Sequence, residues 1–228
     1  MATLIISRFR ENIDWLEEYE KQFKIIVYNK GKELSKKSTY KIINLPNVGR
    51  ESHTWLHHIV ENYENLDCKN IFLQGQINDL NCMVYKNLRQ YSKDLDKDDF
   101  SVSRLGLLGP YHWSHNVGIE NDKRYLLDWK NNKIRKSNLG FRKFAKSLFP
   151  EIPIFVATSY GGCFGVSQKG IYRNTKSFYS RILNILEDHD NPIEGHYMER
   201  LWCYIFTRNK FLKRSFKDIV LTKFEKFK

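Results

Sequence analysis

Residues 45–80 constrain the fold most, because they string a polar turn, an amphipathic helix and a short buried strand into one unit. Asn47 and Gly49 mark the turn, and Glu51, Ser52 and Thr54 lead out of it. Trp55, Leu56, Ile59, Val60 and Tyr63 then recur at helical spacing, which predicts a helix with one buried face. Asn70-Ile71-Phe72-Leu73 follows as an apolar run too short for a helix, and it stops in the polar stretch Gln74-Gly75-Gln76-Ile77-Asn78-Asp79. Ligands of open α/β sheets gather at the carboxyl ends of strands, so this polar end is the first place to look for a site.

The residues before this unit continue the alternation. Thr3 to Ser7 reads as a strand, and Asn12 or Asp14 caps a helix with Ile13, Trp15, Leu16, Tyr19 and Phe23 on one side. Lys24 to Tyr28 is a second strand, Asn29-Lys30-Gly31 a turn, 32–41 a charged loop, and Ile42-Ile43 a short strand. Alternating β and α elements predict a mostly parallel sheet. Further on, the pattern predicts a helix over 83–91, an exposed charged loop over 92–99 and an irregular, pocket-lining segment over 100–115. A helix over 139–148 ends at Phe149-Pro150. A strand over 154–157, a glycine-rich bend from Gly161 to Ser167 feeding another strand, helices over 177–186 and 195–206, and a basic tail over 209–228 complete the reading.

Composition decides what surrounds these elements. Hydrophobic residues make up 41% of the 228, enough to core one large domain. The formal net charge of +12 fits a polyanionic partner, whether nucleic acid, an anionic membrane surface or a phosphorylated small molecule, and equally fits a solvated basic surface. Basic residues are not interleaved with aromatics on one element, which makes a nucleic-acid partner the less favoured of these. Cys68, Cys82, Cys163 and Cys203 are far apart and form no CxxC pair, so they read as reduced thiols of a cytoplasmic protein. No apolar run approaches the roughly 20 residues of a spanning helix, so no transmembrane segment is expected; peripheral membrane contact stays open.

Several side chains invite chemistry. Asp79 sits just past a strand end beside amide oxygens, where it serves either as a ligand for a magnesium or manganese ion or as the cap of the next helix. His53 and His57 share an i, i+4 face, but an HxxxH without the glutamate of a zinc protease is a weak metal signal. His112 and His115 flank Trp113, where they either meet a phosphate or simply pack. Glu199 lies in an apolar helix and needs either a cationic partner such as Arg200 or a role as a general base. No GxSxG elbow, phosphate loop or dinucleotide fingerprint is present, which removes serine hydrolases, P-loop kinases and dehydrogenases from the front rank.

The stretches NVGRESHTWLHHIVENYENL, IFLQGQINDL, GGCFGVSQKGI and ERLWCYIF together resemble an uncharacterised family whose consensus runs GRE(S/A)HTYL, FLQGDPFDH and ERLW, in that order. Domains of this kind are similar to GT-A nucleotide-sugar glycosyltransferases, such as the capsid-glycosylating enzyme of a chlorella virus. The resemblance implies an α/β fold, a single GT-A-like domain over 1–228 with a mostly parallel central sheet flanked by helices. Residues 1–90 would form the donor half and 100–208 the acceptor half. It implies a UDP- or GDP-sugar donor, a Mn2+ or Mg2+ ion and a glycan or protein acceptor. Carried onto this chain, it puts Arg8, Tyr28, Asn29, Asn47, Arg50, Gln74 and Gln76 at the donor, Asp79 at the metal and Glu199 as the base. The chain departs from the consensus at Gln76, where the family has aspartate, and at Leu80, where it has histidine. Asp79 is then the one charged ligand left. A metal-independent transferase and a non-catalytic carbohydrate- or nucleotide-binding module are the alternatives this leaves, beside a basic nucleic-acid-binding protein.

Overall fold

A computed structural model describes residues 1–34, 40–77, 84, 87–114, 123–159 and 161–208. Its strands are β1 (Thr3–Arg8), β2 (Lys24–Asn29), β3 (Lys41–Asn44), β4 (Lys69–Gln74), β5 (Phe100–Ser101), β6 (Gly106–Leu108), β7 (Val156–Thr158) and β8 (Phe164–Ser167). Six of them form one sheet in the order β3-β2-β1-β4-β8-β5, while β6 and β7 pair separately. Pairing is parallel from β3 through β4, and β8 runs antiparallel to both of its neighbours, β4 and β5. Five of the six strands therefore point the same way, which is the mostly parallel α/β sheet expected.

Period-two alternation explains why the sheet is buried on both faces. Ile5, Ile26, Tyr28 and Phe72 face one core, and Leu4, Ile6, Ile25, Val27, Ile71 and Leu73 face the other. The helices are α1 (Arg50–Glu61), α2 (Arg89–Asp94), α3 (Pro110–Ser114), α4 (Lys123–Lys130), α5 (Phe141–Leu148), α6 (Gln168–Ile171), α7 (Lys176–Ile185) and α8 (Ile193–Thr207). On the first face α1 buries Trp55, Leu56, Ile59 and Val60, the residues whose spacing predicts that side, against α7 and α8. Rings carry the core across the sheet: Phe72 meets Phe164, which meets Phe100, Trp202 and Phe206. Among the described residues no helix is long and apolar enough to cross a membrane.

Three local expectations change. The first helix is a 3-10 turn, Asp14–Tyr19, tightened by a bond from Leu16 N to Ile13 O. The described part of the helix expected over 83–91 starts only at Arg89 and runs on into the stretch expected as a loop. Tyr91 anchors it in the core, and Lys69 on β4 pins it by donating to Ser92 O and pairing with Asp96. The segment expected to be irregular holds β5, β6 and α3, because its strands pair with β8 and β7 far away in the chain. Because β8 lies between β4 and β5, the intended donor and acceptor halves share one sheet. The tail over 209–228 lies outside the described residues.

Candidate functional site

The strand order places the site. From β1 the chain passes to β2 and β3 on one side, then returns to β4 on the other, so β1 and β4 flank the point where the order reverses. Such a switch point opens a crevice at the carboxyl ends of the strands. A cleft of about 260 Å³ lies there. Ser7 and Arg8 close β1, Lys30 follows β2, Gln74 closes β4, Asn47, Arg50 and Glu51 open α1, and Phe9, Glu11 and Asp190 complete the wall.

Each part is held by hydrogen bonds, most of them reaching across the chain. Arg8 ties the loops after β1 and β2 together, its Nε donating to Glu11 O and its guanidinium to Asn29 Oδ1 at 2.7 Å and Lys32 O at 2.8 Å. Gly31 makes that junction possible, since a Cβ there would fall 1.6 Å from Phe9 O. The start of α1 is left-handed at Gly49 (φ +60°) and at Arg50 (φ +52°). No side chain caps it; Gly49 N donates to His189 O and Arg50 N to Asp190 O. The loop before α8 thus fixes the entry of α1.

Lys30 is the most unusual group in the cleft. It is only 7% exposed, and its Nζ donates to Val48 O at 2.6 Å and Arg50 O at 2.5 Å. Burial pulls its pKa down to about 7, with Glu51 opposing in part. Arg50 faces Glu51 at 3.5 Å and His196 Nε2 at 3.3 Å, and its charge is stabilised by Glu51 above all, then by Glu199.

Beside the lining residues Gln74 and Glu51 lies the glycine bend. Gly161 and Gly162 both take positive φ, +88° and +66°. Three side chains grip the bend: Gln74 Nε2 donates to Gly161 O, Trp55 Nε1 donates to Gly162 O, and Glu199 Oε1 accepts from Gly161 N at 2.6 Å. A Cβ on Gly162 would press on Glu51 Oε1, so glycine lets the bend lie against that carboxylate.

Of the expected site residues, Arg8, Asn47, Arg50 and Gln74 converge on this cleft. Tyr28 and Asn29 do not line it. Tyr28 is 1% exposed with its hydroxyl 3.0 Å from His58 Nδ1, and Asn29 is a buried brace between Arg8 and Asn44. Period two explains this: the side chains at the end of β2 point into the layers, and the first to reach the cleft belongs to Lys30. Gln76 is exposed beyond the lining, and Asp79 lies outside the described residues. Glu199 stands behind the bend, with its second oxygen paired to Arg200. Glu51 was missed as a site residue, and Lys30 was reached only as the last residue of the strand end, Tyr28 to Lys30, that the resemblance puts at the nucleoside. Lys30 directly follows a clear strand and Glu51 sits in the GRE triplet, which were the available signals.

Among the described residues no group of three or more His, Cys, Asp or Glu is placed to hold a metal ion. Glu11 is occupied by the N–H groups of Phe9 and Arg10, Glu51 by Arg50, and Glu199 by Gly161 and Arg200. Asp79, which the resemblance puts at the metal, lies outside the described residues, and no step of the reaction is routed through a metal ion. His53 and His57 stack with ring centroids 6.0 Å apart. His112 Nδ1 accepts from Gly109 N, and His115 lies outside the described residues.

One protein-family model, described as a protein of unknown function (DUF3431), matches residues 4–218. The chain belongs to the DUF3431 family. The match takes in the whole cleft, from Ser7 to Asp190, together with the glycine bend and α8. Searches of curated proteins and of solved structures return no match.

Proposed function

We propose that the cleft binds a nucleotide diphosphate sugar and that the protein is a GT-A-like glycosyltransferase, moving the sugar to the hydroxyl of a glycan or protein acceptor. One observation carries this reading: three basic side chains, Arg8, Lys30 and Arg50, meet at the switch point of a mostly parallel sheet, with the Glu51 carboxylate beside them on the same cleft wall. Cations at that place suit the charge of a diphosphate, which grows as it departs. Glu51 is the carboxylate on the cleft wall and is the base in this reading; Glu199 is a positioning residue that holds Gly161. In the step, Glu51 takes the proton of the acceptor hydroxyl, and the hydroxyl oxygen bonds to the anomeric carbon. The bond from that carbon to the diphosphate breaks, and its electron pair leaves with the diphosphate. The full engagement of Glu199 favours a second reading, a nucleotide-sugar-binding module without turnover.

Calorimetry with UDP- and GDP-sugars, with and without manganese, tests both readings at once. Failure of every nucleotide sugar to bind sinks them together. Glu51→Gln separates them: a transferase keeps donor binding and loses turnover by about 10²-fold or more, the range of general-base removal, whereas a module shows no turnover to lose.

A further inference from the structure

We propose that Lys30 is a proton-linked anion contact, gaining a proton when a phosphate-bearing ligand enters the cleft and giving its third N–H to that ligand. The geometry admits both forms. An amine has two N–H groups and a lone pair, and an ammonium has three N–H groups. Val48 O and Arg50 O accept from Nζ and can take two N–H groups in either form. What changes is the third position, a lone pair in the amine and a donor in the ammonium.

The charges around the site supply the driving force. From β1 and its loop come Arg8 and Glu11; from α1 come Arg50, Glu51, His53 and His57; from the loop before α8 comes Asp190. Arg8, Lys30 and Arg50 balance Glu11, Glu51 and Asp190 only when Lys30 is charged. With Lys30 neutral, the cleft carries one net negative charge and repels a diphosphate. His53 does not offset this, since burial above all holds it neutral. Burial keeps Lys30 close to half-protonated near pH 7, where an entering anion has the greatest leverage on it. The inference rests on reading the cleft as a phosphate site and not on sugar transfer.

Calorimetric titration of the full chain with UDP at pH 8, in two buffers of different ionisation enthalpy, counts the protons taken up. The terminal phosphate of UDP is already ionised there, so uptake reports the protein. Wild type should take up about 0.9 proton per UDP, from a group with a pKa of about 7. Lys30→Arg, which is charged throughout, should bind with uptake near zero. The wild-type measurement stands even if the variant does not fold. Sulfate, a dianion with no base and no titration, serves as a second probe by thermal shift, with stabilisation at pH 6.5 several times that at pH 9. Uptake below about 0.2 proton, equal uptake in Lys30→Arg, or no response to either anion overturns the proposal. Nucleotide sugars turned over without proton uptake would leave the transferase reading intact and remove this one. Proton-linked UDP binding without sugar binding would do the reverse.

Discussion

Mild acid should unfold this protein through its histidines. His53, His58 and His196 are 3%, 3% and 2% exposed. Burial is the leading cause that lowers each of them, His53 to about 3, His58 to about 4 and His196 well below the ordinary value of 6.5. The sign follows from linkage. Between the folded and unfolded pKa values the unfolded chain binds protons that the folded chain refuses, so stability is present above pH 6.5 and is lost as pH falls. At pH 5 a histidine that titrates at 6.5 when unfolded and at 4 or below when folded costs about 2 kcal/mol. His53 and His58 together therefore remove about 4 kcal/mol between pH 7 and pH 5, a large part of the 5–15 kcal/mol that holds an ordinary domain. His196 adds in the same direction. Asp67 and Asp99 do not enter this window. At Asp67 burial is outweighed by hydrogen bonds from Lys24 and Thr3, and at Asp99 by those from Ser167 and Arg173, so both stay ionised until lower pH. Urea denaturation followed by tryptophan fluorescence is the assay, since Trp55 and Trp202 are fully buried. His58→Gln keeps an acceptor for the Tyr28 hydroxyl and should shrink the difference between pH 7 and pH 5 by about 2 kcal/mol. A wild-type loss under about 1 kcal/mol over that interval, or an unchanged loss in His58→Gln, would refute the reasoning.

Other outcomes follow from single positions. Lys30 titrates lower when folded, so stability should rise with pH above 7 and level off near the unfolded value of 10.5, by about 1 kcal/mol per pH unit around pH 8 to 9; Lys30→Met should flatten that slope in the same urea assay. Gly49→Ala puts a Cβ at φ +60°, 2.7 Å from His53 Cβ and 2.8 Å from Leu186 O, and should cost about 2–4 kcal/mol with an unchanged denaturant slope. Gly31→Ala collides with Phe9 O and should abolish UDP binding by parting the β1 and β2 loops, read by calorimetry on whatever fraction stays folded by circular dichroism. Glu199→Gln loses the pairing with Arg200 yet keeps an acceptor for Gly161 N, so donor affinity should change less than turnover, a split that steady-state kinetics reads as kcat falling more than KM rises.

Local pattern carried the elements that bury a regular stripe. β1, β2, β4, α1, α5, α7 and α8 all lie where alternation or helical spacing puts them, because each meets its core with residues near in sequence. β5 and β6 escaped, since a strand of two or three residues has no period and exists only through a partner tens of residues away. The 3-10 turn at Asp14–Tyr19 shows the reverse failure: Ile13, Leu16 and Phe23 do bury, but through i to i−3 bonding that their spacing does not distinguish from an α-helix.

The site was less legible than the fold, and Tyr28, Asn29 and Lys30 show why. All three sit at the carboxyl end of β2, and proximity in sequence makes each equally eligible for a ligand. Strand register then sorts them: Tyr28 turns toward α1 to meet His58, Asn29 turns into the brace under Arg8, and Lys30, one residue past the strand, reaches the cleft. The same sorting separates Glu51 from Glu199. Both are carboxylates near the glycine bend, but α1 enters left-handed at Gly49 and Arg50, which sets Glu51 on the cleft side of the bend. α8 instead delivers Glu199 behind it, onto Gly161 N and Arg200. The chemistry of the cleft is thus decided by two backbone features, the end of β2 and the left-handed start of α1. The group that joins them is Lys30, whose Nζ spans from the first to the carbonyls of the second.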